Sequence, residues 1–135
     1  KITRRKFLNY FFLSVINLFF IDALWFEKYI IDWNYFDLSA SNKKVKLVQL
    51  SDLHLNKVRR FHKSIANKIN FIKPDYILLT GDVIDKEDSF AVLHEFLSLM
   101  DNSIQKIAIL GNWEYWGNVN ITKLEEVYKQ YKYNL

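Results

Sequence analysis

Three short polar motifs each follow a short apolar run in this chain, and the interval between them is constant. Ser51-Asp52-Leu53-His54 follows Val45–Leu50, and Gly81-Asp82-Val83-Ile84-Asp85 follows Tyr76–Thr80. Gly111-Asn112-Trp113-Glu114 follows Lys106–Leu110. Asp52, Asp82 and Asn112 lie 30 positions apart in turn, about the length of one strand–helix–strand unit. Between the first two motifs Phe61, Ile65, Ala66, Ile69 and Ile72 recur at helical spacing. Between the second and third, Phe90, Leu93, Phe96, Leu97 and Met100 do the same, with Asp88 as the expected N-cap. Strands alternating with helices predict an α/β fold with a parallel sheet. The motifs then fall at the carboxyl ends of the strands, where such sheets form their ligand crevice.

The remaining punctuation fits this order. Pro74 ends the first helix, because the residue before a proline avoids the helical region. A last helix is expected near Thr122, where Thr122-x-x-Glu125 reads as a capping box, with Leu124, Val127, Tyr128 and Tyr131 facing inward. Tyr133-Asn134-Leu135 reads as the approach to another strand. Lys28 to Tyr35 is expected as an edge strand, and residues 39–44 as a polar turn or linker.

Half of the 135 residues are hydrophobic and 17% are aromatic, which argues for a packed core and against disorder. The chain has no cysteine, so disulfides, thiolate metal sites and cysteine nucleophiles are excluded. Two of its three glycines, Gly81 and Gly111, open motifs, where backbone must approach a ligand closely. The net charge of +4 resides in Lys1, Arg4, Arg5 and Lys6, and basic and acidic side chains balance beyond them. A nucleic-acid binder carries its excess of Lys and Arg on a folded face, so no nucleic-acid partner is expected.

The basic head Lys1–Lys6 and the charge-free run Phe7–Ile21 match the n- and h-regions of a secretory signal. Arg4-Arg5-Lys6-Phe7-Leu8 also resembles a twin-arginine export signal. The sequence Ile21-Asp22-Ala23 is a poor cleavage site, which favours an uncleaved membrane anchor. The expected organisation is a signal or anchor over residues 1–27, a linker or edge strand over 28–44, and the N-terminal half of a domain over 45–135. With Arg4 and Arg5 held on the cytoplasmic side, that domain is expected to be membrane-associated and extracytoplasmic.

An Asp-x-His pair on extended backbone sends both side chains to the same side. Asp52 offers a hard oxygen and His54 a nitrogen, a mixture suited to manganese, iron or zinc. Asp82 has two oxygens with which to bridge two ions, and Asn112 adds a neutral carbonyl oxygen. Two metals about 4 Å apart can bind one water, lower its pKa and direct the hydroxide at phosphorus.

In this order, D-x-H, G-D-x-x-D and G-N-x-E resemble the calcineurin-like metallophosphoesterase family. Residues 45–135 carry the resemblance, and the basic front segment resembles its exported or membrane-attached bacterial branch, often grouped with UDP-2,3-diacylglucosamine hydrolases. The resemblance implies a two-sheet sandwich flanked by helices, of which this β-α-β-α-β-α order is the front half, preceded here by a hydrophobic helix. It implies two divalent metal ions, with Asp52 and His54 on the first, Asp82 bridging and Asn112 on the second. Asp85 is expected to orient ligands through hydrogen bonds. The implied activity is hydrolysis of phosphomonoesters or phosphodiesters, with lipid-linked or cell-envelope substrates in view.

Two departures accompany the resemblance. The family places a histidine after the motif asparagine, where this chain has Trp113, whose indole cannot shuttle a proton. Glu114 is therefore a candidate proton donor and equally a candidate structural carboxylate. The family's further histidine ligands come from a second half, including a Gly-His-x-His segment, and nothing of that kind follows Trp116. His62 and His94 are expected as solvated helix residues. The chain is expected to be part of a longer domain, and the alternative reading is an inactive binding or regulatory remnant of the family.

Overall fold

In the computed structural model, which describes residues 3–21, 31–38 and 44–135, Arg4–Ile21 form helix α1. The chain divides into two units, Lys1–Phe36 and Asp37–Leu135. Thr3 starts α1 by accepting the Lys6 N–H with its hydroxyl at 3.4 Å. Within the helix, the Asn17 side chain returns its N–H to the Leu13 carbonyl at 2.8 Å. Phe7, Leu8, Phe11, Phe12 and Leu13 are all exposed. Eighteen residues span about 27 Å at the usual rise, and the first three are cations. Accordingly no helix among the described residues is long and apolar enough to cross a membrane. Residues 22–30 of the expected anchor and linker, and 39–43 of the expected turn, lie outside the described residues. The expected edge strand is absent from its described part, since residues 31–38 carry no regular structure.

The second unit contains the sheet. Its strands are β1 (Leu47–Leu50), β2 (Tyr76–Thr80), β3 (Gln105–Ile109) and β4 (Tyr133–Asn134). They lie side by side in chain order, and every neighbouring pair is parallel. Strand β2 has the expected bounds, whereas β1 starts two residues later than the apolar run.

Helix α2 (Arg60–Ile72) buries His62, Ile65, Ala66 and Ile69, a single stripe at helical spacing. It ends at Lys73 in the left-handed conformation, immediately before Pro74. A 3₁₀ turn over Glu87–Ser89 leads into α3 (Phe90–Ser98), which buries Phe90, Leu93, Phe96 and Leu97. Asp88 lies inside that turn and is not the expected N-cap, since Ser89 precedes the helix. A short helix α4 (Asn112–Trp116) follows β3, and α5 (Ile121–Gln130) buries Leu124, Val127 and Tyr128. The cap of α5 is Asn120, whose side chain accepts the Lys123 N–H at 3.0 Å. Asn is among the strongest N-caps, so it starts the helix one residue before Thr122 and displaces the expected Thr122 box.

Sequential order combined with right-handed crossovers puts the connecting helices on one face of the sheet. The burial pattern follows. Val48, Ile77, Lys106 and Tyr133 share one register row and are buried. On the opposite face Leu47, Ile107 and Ile109 are exposed. Lys106 is a charged residue in this core, and its ammonium donates to the Asp101 carbonyl at 2.7 Å and lies 5.7 Å from the Tyr133 ring centre. Burial pulls its pKa below the usual lysine value, against the pull of Asp101.

His62 and His94 also differ from expectation. His62 is buried, and its Nδ1 accepts the Arg59 N–H at 3.0 Å, closing the first turn of α2. His94 is partly buried and pairs with the Tyr131 hydroxyl at 3.2 Å. Each therefore faces a neighbouring group of the fold, where the sequence pattern suggested a solvated helix surface.

Candidate metal centre

The loops leaving β1 and β2 continue the sheet beyond its strands. Asp52 N–H donates to Gly81 O at 3.2 Å, His54 N–H to Asp82 O at 3.0 Å, and Leu55 N–H to Val83 O at 2.8 Å. This zipper brings the first two motifs together. One ligand atom each from Asp52, His54 and Asp82 lies within 4.8 Å of the others. All three residues have positive φ, at 55°, 42° and 54° respectively. Non-glycine residues take up that region at a cost, and such costs gather at functional sites.

His54 is oriented by Asp85. Its Nδ1 lies 2.5 Å from Asp85 Oδ1, which leaves Nε2 for a cation, an arrangement common at metal sites. The hydrogen bond to Asp85 raises the His54 pKa above 6.5; partial burial opposes this, and the charges of Asp85, Asp82 and Asp52 reinforce it. Two carboxylates and an oriented imidazole form a donor set that fits a divalent transition metal.

The third motif holds the second in place. Asp82 Oδ1 accepts the Trp113 backbone N–H at 2.9 Å. A Cβ on Gly111 would overlap that same oxygen, so only glycine lets the β3 loop approach Asp82 this closely. Asn112 lies between these two residues in the chain and is exposed at the start of α4. At the far end of α4, a Cβ on Gly117 would overlap the Asp85 carbonyl oxygen.

Glu114 is fully buried. Its Oε1 accepts the N–H groups of Val83 at 2.7 Å and Ile84 at 3.4 Å, and its Oε2 those of Gly111 at 2.9 Å and Asp82 at 3.1 Å. Of the two candidate roles for this carboxylate, the geometry is that of a structural clamp, because both oxygens are occupied by backbone donors away from solvent. Sequence reasoning singled out Trp113 but not the contact of its ring with His54, which it meets edge-on at 5.5 Å between centres. Its place one residue after Asn112 was the available signal.

A profile of the family described as calcineurin-like phosphoesterase matches residues 45–134, the stretch that contains all three motifs. The chain belongs to the calcineurin-like phosphoesterase family. Over 89 residues it is 35% identical to the UDP-2,3-diacylglucosamine pyrophosphatase LpxG of Chlamydia muridarum, covering 63% of this chain and 27% of that protein. It is 29% identical over 97 residues to an uncharacterized metallophosphoesterase of Aquifex aeolicus, covering 70% and 36%. The metallophosphoesterase YkuE of Bacillus subtilis is 36% identical over 78 residues, 53% of this chain and 27% of that protein. The chain thus spans about a quarter to a third of the length of these relatives. For a calcineurin-like phosphoesterase, the parallel sheet and the Asp-His-Asp cluster at its carboxyl edge are the expected framework and donor set.

Proposed function

We propose that this chain belongs to a metal-dependent hydrolase of phosphoesters. The carrying observation is the convergence of Asp52, His54 and Asp82 within 4.8 Å, with His54 Nδ1 held by Asp85. In this reading Asp52, His54 and Asp82 would hold one divalent ion, and Asp82 and Asn112 would hold a second. Manganese, iron and zinc all suit the donors. Bound there, such ions supply activation of water and neutralisation of phosphoryl charge. Asp85 keeps the His54 imidazole turned to the site, and Glu114 keeps the Asp82 loop in register with α4.

The relative LpxG is named for a pyrophosphatase of UDP-2,3-diacylglucosamine. By analogy the substrate is a lipid-linked phosphoester or pyrophosphate of the cell envelope. Attachment of the full protein to a membrane through its basic, aromatic front segment belongs to the same reading. The exposed apolar side chains of α1 support it. High-salt extraction of membranes tests it, because salt releases only electrostatic attachment. Recovery of the untruncated protein in the soluble fraction would defeat attachment.

The test of the enzyme reading is Asp82→Asn in the full-length protein, with metal content and hydrolysis of bis-p-nitrophenyl phosphate measured together. Both are expected to fall sharply, because a charge shared by two cations is lost. Unchanged activity overturns the assignment. The second reading, a remnant that binds metal without turnover, draws on Trp113 in the histidine position and on the burial of Glu114. Metal retained by the wild-type protein without metal-dependent hydrolysis supports it.

A further inference from the structure

The segment around helix α4 follows the loop after β2 and meets it at three successive places. Before the helix, a Cβ on Gly111 would lie 2.2 Å from Asp82 Oδ1. In its middle, Glu114 Oε1 accepts the N–H groups of Val83 at 2.7 Å and Ile84 at 3.4 Å. Just past its end, a Cβ on Gly117 would lie 1.7 Å from the Asp85 carbonyl oxygen and 2.6 Å from the carbonyl carbon. The turn itself does not require glycine at position 117. Gly117 has φ of −79° and ψ of 4°, a turn conformation that other residues adopt. The left-handed position that usually calls for glycine at a helix end is taken here by Asn118, at φ 50°. The missing Cβ of Gly117 therefore serves the space beside Asp85.

We propose that Gly117 is a positioning residue of the metal centre: its bare Cα lets the end of α4 seat against the Asp85 backbone, and so keeps the Asp85 carboxylate on His54 Nδ1. The proposal rests on the reading of Asp52, His54 and Asp82 as the metal site, and it adds a residue that acts on that site through Asp85. A carbon approaches a carbonyl oxygen to about 3.3 Å at the closest, so a side chain at position 117 forces a shift of more than an ångström. Both overlapping atoms belong to backbone, and no rotamer relieves them. Val83 and Ile84, the residues before Asp85, are fully buried and held by Glu114, so they do not share the movement. The end of α4 is tied as well. Gly117 N–H donates to Trp113 O at 2.8 Å, and Val119 N–H donates to Glu114 O at 3.0 Å, with the Val119 side chain buried. The shift therefore falls on Asp85. Its carboxylate stands 2.5 Å from His54 Nδ1, and a hydrogen bond does not survive a displacement of that size. The imidazole then loses the partner that turns Nε2 to the site.

The experiment uses the full-length protein, with zinc as the probe for affinity and the His54 Nδ1–H resonance of the metal-free protein as the spectroscopic readout. Gly117→Ala is expected to lower zinc affinity by about 10- to 100-fold, as loss of a carboxylate behind a histidine ligand does, and to remove the downfield His54 resonance. Ile69→Ala, which opens a cavity beneath α2, controls for general loss of stability and is expected to leave both readouts close to wild type. In an Asp85→Ala background, Gly117→Ala is expected to cause no further loss of affinity, because two residues that act through one contact are not additive. Fully additive losses overturn the proposal, as does an equal loss in Ile69→Ala. Zinc affinity and a His54 resonance in Gly117→Ala that match wild type overturn it alone and leave the metal site standing. A wild-type protein that binds no zinc overturns the metal-site reading together with the proposal. If Gly117→Ala folds poorly, it is measured in trimethylamine N-oxide, which favours the folded state. A variant still unfolded there overturns the proposal, since Gly117 is then required for folding itself.

Discussion

His54 Nδ1 and Asp85 Oδ1 stand 2.5 Å apart, across two loops that leave neighbouring parallel strands. The pair is 31 residues apart in the chain, and it fixes which imidazole nitrogen faces Asp52 and Asp82.

Loss of that orientation is expected to weaken the metal site without dismantling it. Asp85→Ala lowers divalent-metal affinity by about 10- to 100-fold, the usual effect of removing a carboxylate behind a histidine ligand. Asp52→Ala, which removes a donor itself, lowers it further. Titration of the metal-free protein with manganese or zinc measures both. Equal affinity of Asp85→Ala and wild type contradicts the orienting role.

Glu114 is expected to appear in stability measurements. Glu114→Ala leaves four N–H groups, two buried and two partly buried, without their acceptor and costs about 3–5 kcal/mol of folding free energy. Glu114→Gln keeps one oxygen and turns an N–H₂ group towards the other donors, so it recovers only part of the loss. Urea unfolding of the three proteins decides the matter. A Glu114→Gln protein as stable as wild type, but with an altered pH–rate profile, would return Glu114 to the role of proton donor.

The metal-ligand conformation has a cost of its own. Asp52 has φ of 55° and shares its cluster with Asp82 and Asp85. In chelator, Asp52→Gly is expected to raise stability by about 0.5–1 kcal/mol, since glycine accepts the left-handed region and one of the crowded carboxylates is removed. The same change lowers metal affinity. A destabilised Asp52→Gly protein in chelator contradicts the strain argument.

His62 links stability to pH. Burial lowers its pKa below 6.5, the Arg59 charge adds to that, and a hydrogen bond to the Lys57 backbone opposes it. The folded state therefore holds His62 neutral, while the unfolded chain takes up a proton near 6.5. Its contribution is complete above that pH and is lost as the pH falls from 6.5 towards the depressed folded value. Protonation also removes the Nδ1 acceptor for Arg59 N–H, a cap worth about 1 kcal/mol. His62→Gln keeps an acceptor at this helix position without titrating. The stability difference between wild type and His62→Gln is expected to shift against wild type between pH 7.5 and pH 5 by about that amount. A difference that does not change with pH removes His62 from the acid response.

Much of the fold was written locally. Tyr76–Thr80 is a short apolar run that ends in Gly81-Asp82, and β2 has the bounds that this run predicts. The stripe of Ile65, Ala66 and Ile69 needs only helical periodicity, and Lys73-Pro74 ends that helix by backbone sterics alone. The regular spacing of the motifs likewise put Asp52 and Asp82 at adjoining strand ends. Tertiary structure decided what depends on pairs of residues some thirty positions apart. A local pattern makes Glu114 polar and therefore exposed, yet docking of α4 onto the β2 loop surrounds it with N–H donors and buries it. His62 becomes buried where α2 meets Phe96 of α3, and Trp113 meets His54 where its backbone N–H docks on Asp82. Periodicity and turn chemistry act between near neighbours, so sequence carries them. Burial of a charge or the facing of two rings follows from contacts that exist only once the strands are aligned.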